Sequence, residues 1–455
     1  MDGAPYYDYS ETMSDRSTIF ALSSAPGRAA IAVVRVSGPR AGSVIDLMAP
    51  PRPIDRMTGV RRIRHPENGE TLDHGVVIWF AGPKTDTNED IAEFHVHGGS
   101  AIVRGVLSAM GCLPGCRLAE PGEFTRRAFE HGKIDLAQAE ARADLVAAET
   151  DAQRRQALHQ MSGALSSLYD GWRTKLIEAS ALVEAAVDFS DQADVADAAL
   201  AQARELAARL RPAIATHLDD GNRGEILREG FQVALTGMPN VGKSSLLNAL
   251  AKRDAAIVSE EAGTTRDVIE VRLDLEGLPI VVSDTAGIRV AEGTAEREGV
   301  RRSLAKARDA DLVIWLSDVT ASECPPPQEI ANRGEGVLHV ENKIDLVASG
   351  KTCCGRLAVS AKTGTGIKDL TKRLAKLAGE RIGIQEAPLI TQARYREQVS
   401  TCLMALDTFL SSEPEDIELR AEDLRSARNA LGRITGRVDV EDMLDQIFGR
   451  FCIGK

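Results

Sequence analysis

Residues Gly237 to Ser244 read GMPNVGKS, a loop of the form G-x-x-x-x-G-K-[ST] set between a strand-like run, FQVAL, and a helix-like run, SLLNALAK. The glycines allow successive backbone N–H groups to turn inward on phosphates. Lys243 can reach the terminal phosphates, and the Ser244 hydroxyl suits Mg2+. Asn240, Val241, Gly242 and Ser245 complete the stretch that faces the phosphates. The ligand implied is a nucleoside triphosphate.

The base is set further along, where the apolar run VLHVENKID ends in Asn342, Lys343 and Asp345. A carboxylate at Asp345 can accept from both N1–H and the exocyclic amine of guanine. Adenine offers neither donor, so ATP would leave that charge without partners, at a large desolvation cost. A second apolar run, RLAVS, leads into Ser360, Ala361 and Lys362, a loop suited to guanine O6. Between these lie Asp284, Thr285, Ala286 and Gly287 (DTAG), whose aspartate follows a strand and can hold the Mg2+ shell. Before them comes a switch segment, GTTRD (Gly263 to Asp267), whose Thr264 and Thr265 precede Arg266 and whose Thr265 can complete that shell; Ser259, Glu260, Glu261 and Ala262 just ahead of it are further nucleotide-binding candidates.

In many small GTPases a glutamine after the D-x-x-G turn positions the attacking water, but Gly287 is followed by Ile288. Hydrolysis then needs another polar group, and IRVAEGTAEREG offers Arg289, Glu292, Glu296 and Glu298, any of which can equally be a solvated loop charge. Asn240 has two readings. Its amide oxygen can ligate a monovalent cation that delivers positive charge to the phosphates, or its side chain can bond its own turn.

These residues need a scaffold, and 455 residues suggest about three domains. Residues 1–17 read as a flexible lead and 18–133, with β-rich runs such as AAIAVVRVSG and HGVVIWF, as an α+β domain. Apolar residues three and four apart make 134–228 helical; 229–382 is the nucleotide module and 383–455 is helical again. The fold class expected is multidomain α/β: a Ras-like P-loop domain inserted into a helical domain built from two chain segments, behind an N-terminal α+β domain. A net charge of −12 argues against a general grip on nucleic-acid backbone, so any RNA contact must be local. Seven scattered cysteines form no disulfide framework, and no apolar stretch is long enough to span a bilayer, which together imply a cytoplasmic protein.

The segments GMPNVGKSS, IVSEEAGTTRD, DTAG, NKID and SAK together resemble the cation-dependent, self-dimerising GTPases of the translation-factor-like class. APGRAAIAVVRVSG, EFHVHGGS, EPGEFTRRAFEHGKIDLAQAEARADL and the terminal FCIGK sharpen this into a resemblance to the bacterial tRNA uridine modification GTPases of the MnmE (TrmE) family, from Thr18 to Lys455. The resemblance implies a K+-dependent GTPase activated by dimerisation of its GTPase domains. It implies a flavin-dependent partner, MnmG (GidA), and an aminomethyl-type group, such as carboxymethylaminomethyl, installed on C5 of the wobble uridine of certain tRNAs. A 5,10-methylene- or 5-formyl-tetrahydrofolate is the implied one-carbon donor. By motif, K+ falls to Asn240, Ser259, Glu261 and Thr264, Mg2+ to Ser244 and Thr265, and the water-orienting carboxylate to Glu296. The folate site falls to Arg35, Glu93, Lys133 and Lys455: a carboxylate such as Glu93 can read a pterin edge, and the cations suit a glutamyl tail. The chain departs from the family pattern in its N-terminal extension, in Met238 and in His95.

Cys452 is a small apolar residue of a buried C-terminal helix or, by family position, a functional group whose role as acid, nucleophile or prop stays open. His95 and His97 would share one face of a strand, but without further ligands at suitable spacing they read as packing residues. The alternative to RNA modification is a GTPase switch in ribosome assembly or RNA binding. That reading would be favoured by a basic tail with a GXXG loop, whereas this tail is helical, of mixed charge, and ends in CIGK.

Overall fold

The computed structural model describes residues 17–189, 192–253, 255–257, 270–284, 306–321, 325–347, 356–383, 387–411, 417–438 and 441–454. The chain divides into two compact units, one of residues 1–143 with 432–455 and one of residues 144–431. Among the described residues no helix is long and apolar enough to cross a membrane.

The first unit is built on a six-stranded sheet of β1 (Thr18–Leu22), β2 (Ala29–Ser37), β3 (Thr58–Arg64), β4 (Thr71–Phe80), β5 (Ile91–Gly98) and β6 (Cys116–Leu118). Its order is β3-β4-β5-β2-β1-β6, antiparallel except for β6, which runs parallel to β1. Period-2 alternation sorts its faces. Val34, Val36, Phe94 and Val96 point into a core closed by Ile45 and Met48 of the helix Ala41–Met48 and by Val106 and Met110 of the helix Ser100–Gly111. The residues between them, Arg35, Glu93, His95 and His97, fall on the opposite face. A smaller cluster joins Phe129 and Leu136 to Leu444, Phe448 and Phe451, so the C-terminal helix Glu441–Phe448 packs within this unit.

The second unit carries β7 (Phe231–Gly237), β8 (Ala256–Ile257), β9 (Glu270–Leu275), β10 (Leu278–Asp284), β11 (Leu312–Asp318), β12 (Val337–Asn342) and β13 (Leu357–Ala358) in the order β13-β12-β11-β7-β10-β9-β8. Five of these strands run parallel, while β9 and β8 pair antiparallel at one edge. Parallel strands covered on both faces read as near-continuous apolar runs, as in Leu312–Leu316 of β11. The helices Lys243–Ala251 and Ile367–Ile382 cover the sheet through Leu246, Leu247 and Leu250 and through Leu370 and Leu374.

The same unit holds two long antiparallel helices, Ala164–Asp188 and Ala193–Leu218, packed through Tyr169, Leu176, Val183, Ala207 and Ile214. The helix Ala393–Ser411 lies against the second of them. Arg211 Nη2 donates to Asp407 Oδ2 at 3.1 Å, and Arg204 donates to the Leu410 carbonyl. Helices from before and after the nucleotide module therefore make one helical body, as the sequence pattern implies.

Candidate functional site

Strand β7 delivers the phosphate loop, and its backbone can turn only with the residues it has. Gly237 sits at φ +149°, where a Cβ would lie 2.2 Å from the Leu316 carbonyl oxygen; Gly242 sits at φ +96°, where a Cβ would lie 2.5 Å from Asn342 Nδ2. Asn240 is exposed in the left-handed region at φ +63°. Lys243 opens the next helix, and its ammonium donates to the carbonyls of Gly237 at 2.9 Å and Met238 at 3.0 Å. Burial pulls the Lys243 pKa below its ordinary value, with Asp284 pulling the other way. Ser244 Oγ lies 3.1 Å from Oδ2 of Asp284, a buried carboxylate at the end of β10. A hydroxyl and a carboxylate side by side form a hard-oxygen pair that fits Mg2+.

The residues expected to read the base lie at the carboxyl ends of β12 and β13, the edge where open parallel sheets bind ligands. Asn342 is buried and ties two loops together: Nδ2 donates to the Val241 carbonyl at 2.8 Å, and Oδ1 accepts from the Ala361 amide at 3.0 Å. Lys343, at φ +67°, sends its ammonium to the Asn240 carbonyl at 2.8 Å and to Asp318 Oδ2 at 2.7 Å. Burial pushes the Asp318 carboxyl up, but bonds from Lys343 and Thr320 outweigh it and hold the group below the usual carboxylate range. Asp345 is exposed, and its Oδ1 accepts from the buried Ser360 hydroxyl at 2.6 Å, which fixes the carboxylate's direction. The same Ser360 oxygen accepts from the Thr363 amide, so Ala361 and Lys362 ride on a closed turn, with Lys362 exposed. The structure thus gathers Asn240, Val241, Gly242, Lys243, Ser244, Asp284, Asn342, Lys343, Asp345, Ser360 and Ala361 around one edge of the sheet.

The remaining nucleotide residues, Ser259, Glu260, Glu261, Ala262, Gly263, Thr264, Thr265, Thr285, Ala286 and Gly287, lie outside the described residues, as do Glu296 and Lys455.

On the first unit's sheet, Arg35 and Glu93 are direct cross-strand partners. Arg35 Nε and Nη2 donate to Glu93 Oε1 at 3.1 and 2.9 Å, and His95 Nε2 lies 3.3 Å from Glu93 Oε2. Asp73, buried on β4, engages Nδ1 of the exposed His97 at 2.8 Å. The two histidines therefore pair with separate carboxylates rather than converging on one point. Lys133 is exposed on the turn after the helix Glu123–Glu130 and its side chain joins neither Arg35 nor Glu93.

Cys452 is exposed and lies beyond the helix Glu441–Phe448, so the buried-helix reading of it fails: the helix ends four residues too early. The chain leaves that helix as a non-helical tail. Ile453 bridges Pro121, Ser23 Oγ donates to the Gly454 carbonyl at 2.9 Å, and at Gly454 (φ +95°) a Cβ would lie 2.2 Å from the Leu22 carbonyl oxygen. The tail is pinned beside β1, whose neighbour β2 carries Arg35.

Two site groups escape the sequence reading. Asp86, in the β4–β5 loop, sits 3.8 Å from Arg35 Nη1 and 2.9 Å from Arg142 Nη2. Asp318 anchors Lys343. The signal for Asp318 is present in LVIWLSD, an apolar strand ending in an acid at the same sheet edge as VVSD of β10; for Asp86, in a loop of polar residues, no signal distinguishes it.

The family described as "GTP-binding protein TrmE N-terminus" matches residues 18–133, and "MnmE helical domain" matches residues 136–452. A protein of Parvibaculum lavamentivorans named tRNA modification GTPase MnmE is 50% identical over 441 residues, 96% of this chain and 100% of its own. One of the same name in Methylobacterium radiotolerans is 49% identical, covering 97% of this chain and 100% of its own; another, in Methylorubrum populi, is 52% identical, covering 96% and 98%.

Proposed function

The chain belongs to the MnmE family of tRNA modification GTPases, and from that premise we propose that it is the GTP-hydrolysing component that adds a carboxymethylaminomethyl-type group to C5 of the wobble uridine of certain tRNAs. The observation that carries the nucleotide half of this reading is the Asn342 bridge, which ties the phosphate loop to the guanine-reading loop within one sheet edge. A base and a triphosphate bound there are held by a single hydrogen-bonded frame. GTP is the substrate this frame suits.

In this proposal Ser244, Asp284 and Thr265 hold Mg2+, and Asn240, Ser259, Glu261 and Thr264 hold K+. The ions supply positive charge to the phosphates. Among the described residues the Asn240 side chain has no hydrogen bond of its own, which favours the cation-ligand reading over the self-bonded turn. Glu296 orients the attacking water in place of the absent glutamine, and K+ completes its site when two GTPase domains meet in a homodimer.

Residues 18–133 serve as the folate-binding and dimerisation domain, 134–228 and 383–455 as the helical domain, and 229–382 as the GTPase domain. Arg35, Glu93, Lys133 and Lys455 hold a tetrahydrofolate. The pinned tail supports this assignment, because it ends beside the strand pair that carries Arg35. Cys452, two residues before Gly454 and exposed, is available for the modification chemistry. The partner is the flavoprotein MnmG, and the work is done in the cytoplasm on tRNA.

Mass spectrometry of tRNA nucleosides from cells lacking this protein tests the reading: the C5-modified wobble uridine should vanish and return with the intact gene. An unchanged profile overturns it.

A further inference from the structure

The β3–β4 hairpin and the end of the helix Ser100–Gly111 bring together, within the first unit, three metal-ligating groups of different chemistry that the proposed function does not use. His65, Glu67 and Cys112 each present a ligand atom, and these atoms lie within 4.8 Å of one another. We propose that they form a binding site for a borderline-soft divalent cation of the zinc class.

The frame is rigid where the ligands need it to be. His65 opens a closed hairpin turn: its amide donates to the Glu70 carbonyl at 2.8 Å, its carbonyl accepts from the Gly69 amide at 3.0 Å, and the Glu70 amide donates to Asn68 Oδ1 at 3.0 Å. Cys112 caps the helix, with Leu113 beside it anchored in the core. Backbone order is thus settled before any ion arrives, and only side chains must adjust.

The ligands are also held lightly enough to be released. His65 Nδ1 accepts from the Glu67 amide at 3.3 Å, so its lone pair already points into the turn on a long hydrogen bond. The Cys112 thiol donates to the Ser108 carbonyl at 3.4 Å, a weak contact. Metal binding breaks the S–H bond, forms a metal–sulfur bond and releases the proton to solvent. One imidazole, one carboxylate and one thiolate make the N/O/S set that zinc and cobalt accept and that magnesium and calcium, which prefer oxygen alone, do not. Glu67 and Cys112 are exposed, which leaves a fourth position to water and gives the ion a way in and out.

Co2+ reports the site directly, because a thiolate-to-cobalt charge-transfer band appears only when sulfur is bound. Titrating the full chain should give this band at one equivalent, with Zn2+ displacing it and excess Mg2+ leaving it in place. Cys112→Ser should abolish that equivalent, and His65→Ala should raise the half-saturating Co2+ concentration by at least about tenfold. Both variants should keep the parental circular dichroism and thermal unfolding profile, which shows that they fold, and the parental rate of GTP hydrolysis. The same band in Cys112→Ser would assign the metal to another of the seven cysteines and overturn the proposal. So would the absence of any band in the parent, or its removal by Mg2+.

Discussion

The Asn342 side-chain amide packs directly against Gly242: a Cβ at that glycine would lie 2.5 Å from Asn342 Nδ2, the atom that donates to the Val241 carbonyl at 2.8 Å. The phosphate loop and the loop of Asn342 are therefore one packed object, and Gly242 is the residue whose missing side chain permits it. Its φ of +96° adds a second demand that only glycine meets cheaply.

Gly242→Ala should accordingly do more than strain the backbone. Backbone strain alone costs about 1–3 kcal/mol, the effect expected for Gly334→Ala, where φ is +59° and nothing lies within 4 Å of a new Cβ. At Gly242 the collision also displaces Asn342, so GTP affinity should fall by at least about 100-fold while Gly334→Ala binds as the parent does. Titration with a fluorescent GTP analogue compares them, and equal affinities would mean the two loops move independently.

Asp345→Asn should weaken GTP and strengthen xanthosine triphosphate, because an amide presents a donor where the guanine edge also donates. The Ser360 hydroxyl, 2.6 Å from Oδ1, keeps the new side chain aimed at the base, so the exchange acts on recognition rather than on folding. A loss of GTP affinity of about 100-fold, with a reversal of base preference, is expected from leaving paired donors unmatched. Retained guanine selectivity in competition binding would remove Asp345 from base reading.

Motifs are legible where the chemistry is local in sequence. GMPNVGKS, VVSD, VLHVENKID and RLAVSAK each end an apolar strand, and parallel strands bring such ends to one edge, so their convergence is built into the pattern itself. Long-range partners leave no such trace. Lys343 reads as part of a base-binding motif, yet its ammonium also spans to Asp318 and to the Asn240 carbonyl, which no spacing rule links to it. Arg35 and Glu93 carry no motif of their own and stand out only through the family resemblance, although β2 and β5 set them directly opposite. The C-terminal run reads as helix to its end because DMLDQIF is amphipathic; the chain leaves the helix after Phe448, and Ile453 and Gly454 are captured by Pro121 and Ser23.

The first unit should lose stability in acid through Glu123. This buried carboxylate accepts from Arg117 Nη1 and Nη2 at 2.8 and 2.7 Å and from Arg127 at 2.9 Å, and Arg127 also reaches Glu89 and the Ser17 carbonyl. Burial alone would raise the Glu123 pKa, but the bond from Arg117 and the neighbouring guanidinium charges outweigh it and hold it below its ordinary 4.5. A depressed carboxylate contributes stability that is present above 4.5 and is lost as pH falls through the lower folded value. Thermal unfolding measured from pH 7 downward should therefore show a drop in Tm in that acid range. Glu123→Gln should begin lower and show a shallower drop, whereas Arg127→Ala, which removes the buried guanidinium that Glu123 and Glu89 share, should cost about 3–5 kcal/mol at neutral pH. An acid profile unchanged in Glu123→Gln would place the sensitivity elsewhere.

Replacing K+ by Na+ should slow hydrolysis strongly while leaving GTP binding nearly intact. Asn240 stands exposed at φ +63° in the phosphate loop, its backbone carbonyl engaged by Lys343 and its amide oxygen open to a cation beside the phosphates. On the proposed K+ reading a smaller ion misfits the cage, and the charge lost is worth most in the transition state, so the deficit should appear in kcat with little change in KM. Asn240→Ala should then be slow in both salts, and Glu296→Ala should bind GTP but lose turnover by roughly 100-fold or more whichever ion is present. Steady-state rates for the parent and the two variants in matched KCl and NaCl separate these roles: equal parental rates in both salts would strip Asn240 of its cation, and a Glu296→Ala protein as fast as the parent would return the water to another group.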